Sequence, residues 1–429
     1  MLANLTTPLL GVVSTAAIGR LGDAAMLGGV AMASLVFDCL FWLFGFLRTG
    51  TLALTAQALG AGDRGEQRAA LGRALITSTA IGVALIVLQL PLSAAIFGIM
   101  GGSEGATDAA RHYFLIRLWS APFALSNYVV LGWLVGLARP MLALSIQLAI
   151  NLVSIVLTVA LVLGAGWGIA GAAFAVLIAE ASGLGIGTIV AWRVLGGRMD
   201  VSRAALFDRG KFIAMLVINR DIMIRTAALI AAYLFFMAQG ARAGDVTLAG
   251  NSVLYNLVIV SAFFLDGIAN AAQQICGRAF GAREQAAFRR AVKLVVAWGF
   301  GFGAAASAVF ALFGPALVDL LTTSPAVRAM ANATLWLAAL TPICGALAFI
   351  FDGVYIGATW VRDMRNLMIV AITIYFAVWW AASPLGNIGL WSALLAFFLA
   401  RGGLQAARYP ALVRTIGTNE SASPASSPR

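Results

Sequence analysis

The sequence predicts an all-α polytopic membrane protein, with twelve transmembrane helices in two duplicated six-helix bundles. Composition, hydropathy and an internal repeat carry that expectation. Of 429 residues, 62% are hydrophobic and 10% are charged, where a soluble domain has about 25% charged residues. Apolar runs of bilayer-crossing length, about 20 residues, recur from end to end. The short alternating segments of a membrane barrel are absent. The stretch from Leu27 to Ala74 has a counterpart from Leu248 to Ala291, and Ser103 to Pro122 has one from Ser324 to Pro342, both at an offset of about 221 residues. Duplicated bundles are a mark of membrane carriers, whose sites are built from the two repeats.

The first apolar run, 2–19, has neither a basic leader segment nor an A-x-A site before Arg20, so it is expected to be a span and not a cleaved signal peptide. The second run, 27–58, is followed by a loop with Arg64 and Arg68. The third and fourth, 72–99 and 110–136, flank GGSEGATD (Gly101 to Asp108), which carries no positive charge, and Arg139 follows the fourth. Runs 141–164 and 168–192 complete the first bundle, 1–200. The middle loop holds Arg193, Arg198, Arg203, Arg209 and Lys211, and its end, 201–217, is expected to link the bundles in the cytoplasm. The second bundle, 218–410, contains runs 218–240, 247–276, 292–321, 329–357, 366–383 and 388–408. Its even-numbered loops carry Arg278, Arg283, Arg289, Arg290, Arg362 and Arg365, whereas Ser383 to Gly389 carries no positive charge. Arg20 and Arg242 depart from the pattern. This asymmetry places both termini in the cytoplasm, and the net +11 charge is thereby a matter of helix orientation and not of nucleic-acid binding. The Ser/Pro-rich tail, 411–429, is expected to be a disordered cytoplasmic segment.

Enzymatic chemistry has little to stand on. His112 is the single histidine, and there is no H-x-x-x-H, C-x-x-C, G-x-S-x-G or G-x-x-x-x-G-K. Cys39, Cys276 and Cys344 lie in apolar runs as free thiols, without metal-ligand spacing. The many glycines and alanines suit close helix packing. No cofactor or metal is expected.

Four acids inside apolar runs stand out: Asp38, Glu180, Asp266 and Asp352. A charge at mid-bilayer costs about 2.5–3.5 kcal/mol on insertion scales, so such groups face a cavity or a partner. Asp38, Asp266 and Asp352 are the candidates for ion coupling, set against the plainer reading of carboxylates paired with structural arginines. Glu180, within IAEASG, reads as a structural hydrogen-bonding group. Arg48 and Arg117 are the counter-charges at hand. Asp221, in NRDIMIR, reads as part of a solvated interfacial cluster. Phe37, Phe41, Trp42, Phe44 and Phe46 surround one helix, and Trp42 is a candidate for lining an apolar substrate cavity.

Taken in order, PLLGVVSTAAIGRLG (Pro8 to Gly22), FLRTGTLALTAQALGA, the GGSE turn, NRDIMIR, LDG with GRAFGA, and FDGVYIGATWVRDMRN resemble the multidrug and toxic compound extrusion (MATE) family, in its DNA-damage-inducible protein F (DinF) branch. The resemblance covers nearly the whole chain. It implies two six-helix bundles forming a V around a central cavity, and alternating-access export of amphipathic, often cationic, compounds by proton or sodium antiport. It also implies a bacterial inner-membrane location and a monomer. The family carries acids in helices one, five and eight where this sequence has Ser14 (in VST), Thr158 (after Asn151 and Leu157) and Gln273 (in AAQQ). These neutral groups cannot cycle a proton; with Asn151 they are candidates for contacting substrate. The family acid of helix ten is matched by Asp352, and Asp266 matches the branch.

A lipid-type flippase of the same superfold is the alternative transport reading; a receptor or scaffold is the alternative outside transport, though it needs no duplicated cavity. For the topology, a cysteine placed beside Arg203 is expected to resist membrane-impermeant labelling in intact cells. Strong external labelling there would overturn the twelve-span arrangement.

Overall fold

The computed structural model describes residues 16–20, 23–197 and 201–416. They form α-helices joined by turns: α1 (Ala24–Leu43), α2 (Phe46–Gly60), α3 (Arg64–Val87), α4 (Gln89–Met100), α5 (Glu104–Arg117), α6 (Ala121–Gly136), α7 (Pro140–Val159), α8 (Gly168–Val194), the short α9 (Arg203–Leu206), α10 (Arg209–Arg242), α11 (Asp245–Gly281), α12 (Gln285–Leu321), α13 (Pro325–Gly357), α14 (Val361–Ala382) and α15 (Asn387–Val413). Among the described residues, 11 helical segments are long and apolar enough to cross a membrane. They match the eleven runs expected after the first. The first run, 2–19, lies outside the described residues except for 16–19, which are helical.

The breaks have chemical causes. Pro91 has no N–H to bond the carbonyl one turn back, and the run expected at 72–99 divides at Leu88 into α3 and α4. Pro122 divides the next run by a 3-10 turn, Leu118–Ser120, between α5 and α6. Pro342, its counterpart in the repeat, stays inside the continuous α13. There the Ile343 N–H, next to the proline, donates to Ser307 Oγ on α12 at 3.2 Å.

Two ends of the expected linker and tail are corrected. The helix expected at 218–240 begins at Arg209, because Asp208 accepts the Lys211 N–H at 3.0 Å and caps it. The last helix runs to Val413, so 411–413 are helical and not part of a tail; 417–429 lie outside the described residues. The remaining middle segment is docked. Arg73, 1% exposed, donates to the Ala205 carbonyl at 2.7 Å and pairs with Glu66, which also holds Lys211 at 2.7 Å.

Among the described residues, packing defines two compact units: one takes those up to Thr55 and Asp63–Asn219, the other Ala56–Gly62 and those from Arg220 onward. In the first, α1 packs on α5, α3 on α6, and both α6 and α7 on α8. In the second, α11 and α12 pack on α13, and both α13 and α14 on α15. These are the same pairs in repeat order. The backbone repeats too: Gly62 (φ 70) answers Arg283 (φ 57), and Ala138 (φ 58) answers Thr359 (φ 54), each pair at the spacing of the sequence repeat. Left-handed backbone is unfavourable for a residue with a Cβ, so its recurrence at non-glycine positions reflects the turn that each helix end must make.

Helices approach closely through small residues. A Cβ at Gly353 on α13 would strike the Ala269 carbonyl of α11, whereas one at Gly403 on α15 would meet open space. Gly353→Ala is expected to cost about 1–3 kcal/mol through overpacking. Gly403→Ala is expected to be neutral or to stabilise by up to about 1 kcal/mol through helix propensity. Thermal unfolding of the two purified variants in detergent checks the contrast.

Candidate functional site

Each unit contains a polar centre inside otherwise apolar helices. In the first unit α1 brings Asp38 and Trp42, one turn apart on one face. Asp38 is exposed and Trp42 is 44% exposed. A carboxylate facing lipid is costly, and Asp38 lies in a helix apolar enough to cross a membrane. Phe37, beside Asp38, is fully buried and carries the Arg117 guanidinium 4.3 Å above its ring. Arg117 also donates to the Tyr113 hydroxyl at 3.3 Å and acts electrostatically on both Asp38 and Glu180. On α8, Glu180 accepts from Asn127 Nδ2 of α6 at 2.7 Å through its carboxylate and at 2.9 Å through its carbonyl. Tyr128, next to Asn127, lies within electrostatic reach of Glu180, Arg48, Asp38 and Arg117.

The second unit uses the same kinds of group in a tighter arrangement. Asp352 on α13 is paired with Arg225 of α10 and Arg401 of α15, and accepts from Gln405 Nε2 at 3.0 Å. Asp352 is 5% exposed and Arg401 1%. Asp266 on α11 acts on both guanidinium groups, and Tyr233 on α10 lies in the same field. Both centres therefore contain two carboxyls and two guanidiniums, equal in formal charge, with Tyr113 and Tyr128 beside them in the first and Tyr233 in the second. They differ in how the acids are held: Asp352 by two arginines and an amide, Glu180 by an amide without an arginine in contact.

The other sequence candidates fall as follows. Asn151 and Thr158 lie on α7, both buried. Gln147 Nε2 donates to Asn151 Oδ1 at 3.2 Å. The hydroxyls of Ser154 and Thr158 have no partner among the described residues. Gln273 is 2% exposed, two turns along α11 from Asp266, where α11 lies against α13. Ser14 lies outside the described residues. Asp221 corrects an expectation: it is fully buried, and Oδ1 accepts from Arg365 at 2.7 Å and from its neighbour Arg220 at 3.0 Å. The reason is that α14 packs Arg365 over it, a contact that local charge alternation cannot reveal. Sequence reasoning also passed over Arg225, Arg401, Gln405, Asn127 and the two tyrosines. Arg401 carried the same signal as the acids, since it lies in the apolar stretch ALLAFFLARGG.

The MatE family profile matches residues 1–160 and 222–380. The chain is similar to the DNA damage-inducible protein F of Escherichia coli (strain K12), 36% identical over 410 residues that cover 93% of this chain and 87% of that protein. It is also similar to a probable multidrug resistance protein NorM of Caulobacter vibrioides, 26% identical, covering 94% and 88%. Among solved structures, a MATE protein in a bent conformation superposes with a TM-score of 0.88 at 19% identity, covering 97% of this chain and 93% of that one. A MOP superfamily transporter from Pyrococcus furiosus superposes with a TM-score of 0.86 at 18% identity, covering 96% and 93%.

The two acids differ in what their removal should do to stability. Asp352→Ala leaves the buried Arg401 and the half-buried Arg225 without this carboxylate and is expected to cost about 3–5 kcal/mol. Asp38→Asn is expected to stay within about 0.5 kcal/mol, as at other exposed positions. Thermal unfolding in detergent reads both.

Proposed function

The chain belongs to the MatE family of membrane transporters, and on that premise we propose that it exports amphipathic, often cationic, organic compounds by antiport against a proton or sodium gradient. The observation that carries this reading is the charge-balanced polar centre inside each apolar unit. A lone acid in the bilayer is costly, whereas an acid beside a counter-charge is tolerated and responds to a passing cation. Homologues named for multidrug resistance support the substrate class.

Asp38 is the first contact for the cation, because its carboxylate is exposed on the same face as an aromatic ring that suits an apolar or cationic substrate. Asp266 and Asp352 act behind arginines. A cation arriving there competes with Arg225 and Arg401 for the carboxylates, and that competition gives ion and substrate different affinities in different conformations. A ligand shifts a conformational equilibrium only by such a difference. Ser14, Asn151, Thr158 and Gln273 supply neutral hydrogen-bonding groups for substrate. The protein works as a monomer in the bacterial inner membrane, with both termini cytoplasmic and no cofactor.

Proteoliposomes loaded with the purified protein test this. Uphill movement of ethidium is expected under an imposed proton or sodium gradient and not without one. Asp38→Asn is expected to lower the uphill rate at least about tenfold, the equivalent of about 1.4 kcal/mol of lost interaction. Equal rates with and without every imposed gradient would overturn antiport.

A further inference from the structure

Glu180 is a half-buried acid of the first polar centre, and its carboxylate is held by an amide. Asn127 Nδ2 donates to Glu180 Oε2 at 2.7 Å and to its carbonyl at 2.9 Å, while Asn127 Oδ1, on a side chain 2% exposed, has no donor among the described residues. A buried acceptor without a donor costs about 1–3 kcal/mol, and a donor on the neighbouring carboxyl relieves that cost. A carboxylic acid supplies one. Its C=O accepts from an amide N–H while its O–H donates to the amide oxygen, and the two groups close a paired ring. Asn127 has the first of these bonds and an empty place for the second.

The surroundings fit a group that changes charge. α8 is packed by α5, α6 and α7, by the turn at Leu118–Ser120 and by Ala160–Gly164, which has no ionisable side chain. From α5 comes Arg117, which acts on Glu180 through space, and from α6 comes Tyr128. Neither α7 nor the turn contains an ionisable side chain. Asp38 and Arg48 enter the same field through Tyr128. Ile150 of α7 meets Gly183 of α8. The two helices are consecutive and antiparallel, so one turn along α7 Ser154 comes level with Glu180. Ser154 is 1% exposed and its hydroxyl also has no partner among the described residues.

We propose that Glu180 carries the proton exchanged during transport, with Asn127 as the positioning residue that accepts its O–H in the protonated state. The proposal rests on the antiport reading above and names the ion as a proton. The O–H bond forms on a Glu180 oxygen with a proton from the acidic side of the membrane. It breaks when a cationic substrate favours the carboxylate, and the proton leaves to water on the other side. No further reactant is needed.

The test measures ethidium binding and proton release by the full chain in weakly buffered detergent, from about pH 5 to 9, a range that brackets a buried carboxyl. The parent is expected to release protons on binding and to show an affinity that rises with pH. Glu180→Gln is expected to flatten that rise and to cut proton release at least about fivefold. Glu180→Asp, which keeps the carboxyl, is expected to retain the rise with a displaced midpoint, and Asn127→Ala to displace it as well. Proton release that persists in Glu180→Gln would overturn the proposal. If Glu180→Gln does not fold, a Glu180→Asp profile that superposes on the parent's would overturn it instead. A parent that exports ethidium under a sodium gradient but releases no protons would overturn the role of Glu180 and leave antiport standing. A parent that moves ethidium under no gradient would overturn antiport itself.

Discussion

The cost of a charge in the bilayer governs this molecule. Each buried acid must find a counter-charge or a hydrogen-bonding partner, and the chain meets that demand with two neutral sets of the same groups. In the second unit, Asp352 is claimed by Arg225, Arg401 and Gln405. In the first, Arg117 is drawn onto the Phe37 ring and Glu180 is left to an amide. Breaking a buried pair is costly because it leaves an uncompensated charge. Exchanging the partner of an amide-held acid costs far less. The two centres thus divide labour: one is an ionic lock in the packing of α10, α13 and α15, and the other can change its protonation without undoing the unit.

The rest of the fold serves to place these groups. Close approach of α11 and α13 depends on glycines such as Gly353. It sets Asp266 and Gln273 beside the helix that carries Asp352. In the first unit, the turn at Pro122 sets the course of α6, and with it the position of Asn127 against α8. Restricted docking of the middle segment by Arg73, Glu66 and Lys211 ties the approach to α10 to its own unit. A carrier needs rigid units that keep their internal contacts while their site changes exposure, and these interactions supply that rigidity.

Much of this was legible in the residues. Hydropathy located the spans because the bilayer demands continuous apolar helices, and the repeat predicted paired packing that extends to matching left-handed turns at Ala138 and Thr359. Asp38, Asp266 and Asp352 were marked because an ionisable residue in an apolar run is rare. What could not be read was the partner of each. Arg401 lies 49 residues from Asp352 in sequence, and Arg365 lies 144 from Asp221. No local pattern reports such distances, which is why Asp221 looked solvated and is buried. Glu180 was read as a structural hydrogen-bonding group, and it does make hydrogen bonds, but its partner Asn127 carries no charge and so gave no signal.

The most direct test of this division of labour is infrared difference spectroscopy of the reconstituted protein between acidic and alkaline buffer. It follows the carbonyl stretch that only a protonated carboxyl shows. The account predicts a component of that band on acidification that is lost in Glu180→Gln and remains in Asp352→Asn. A band unchanged in Glu180→Gln that loses a component in Asp352→Asn would contradict it, because the arginine-held acid would then be the one that exchanges its proton.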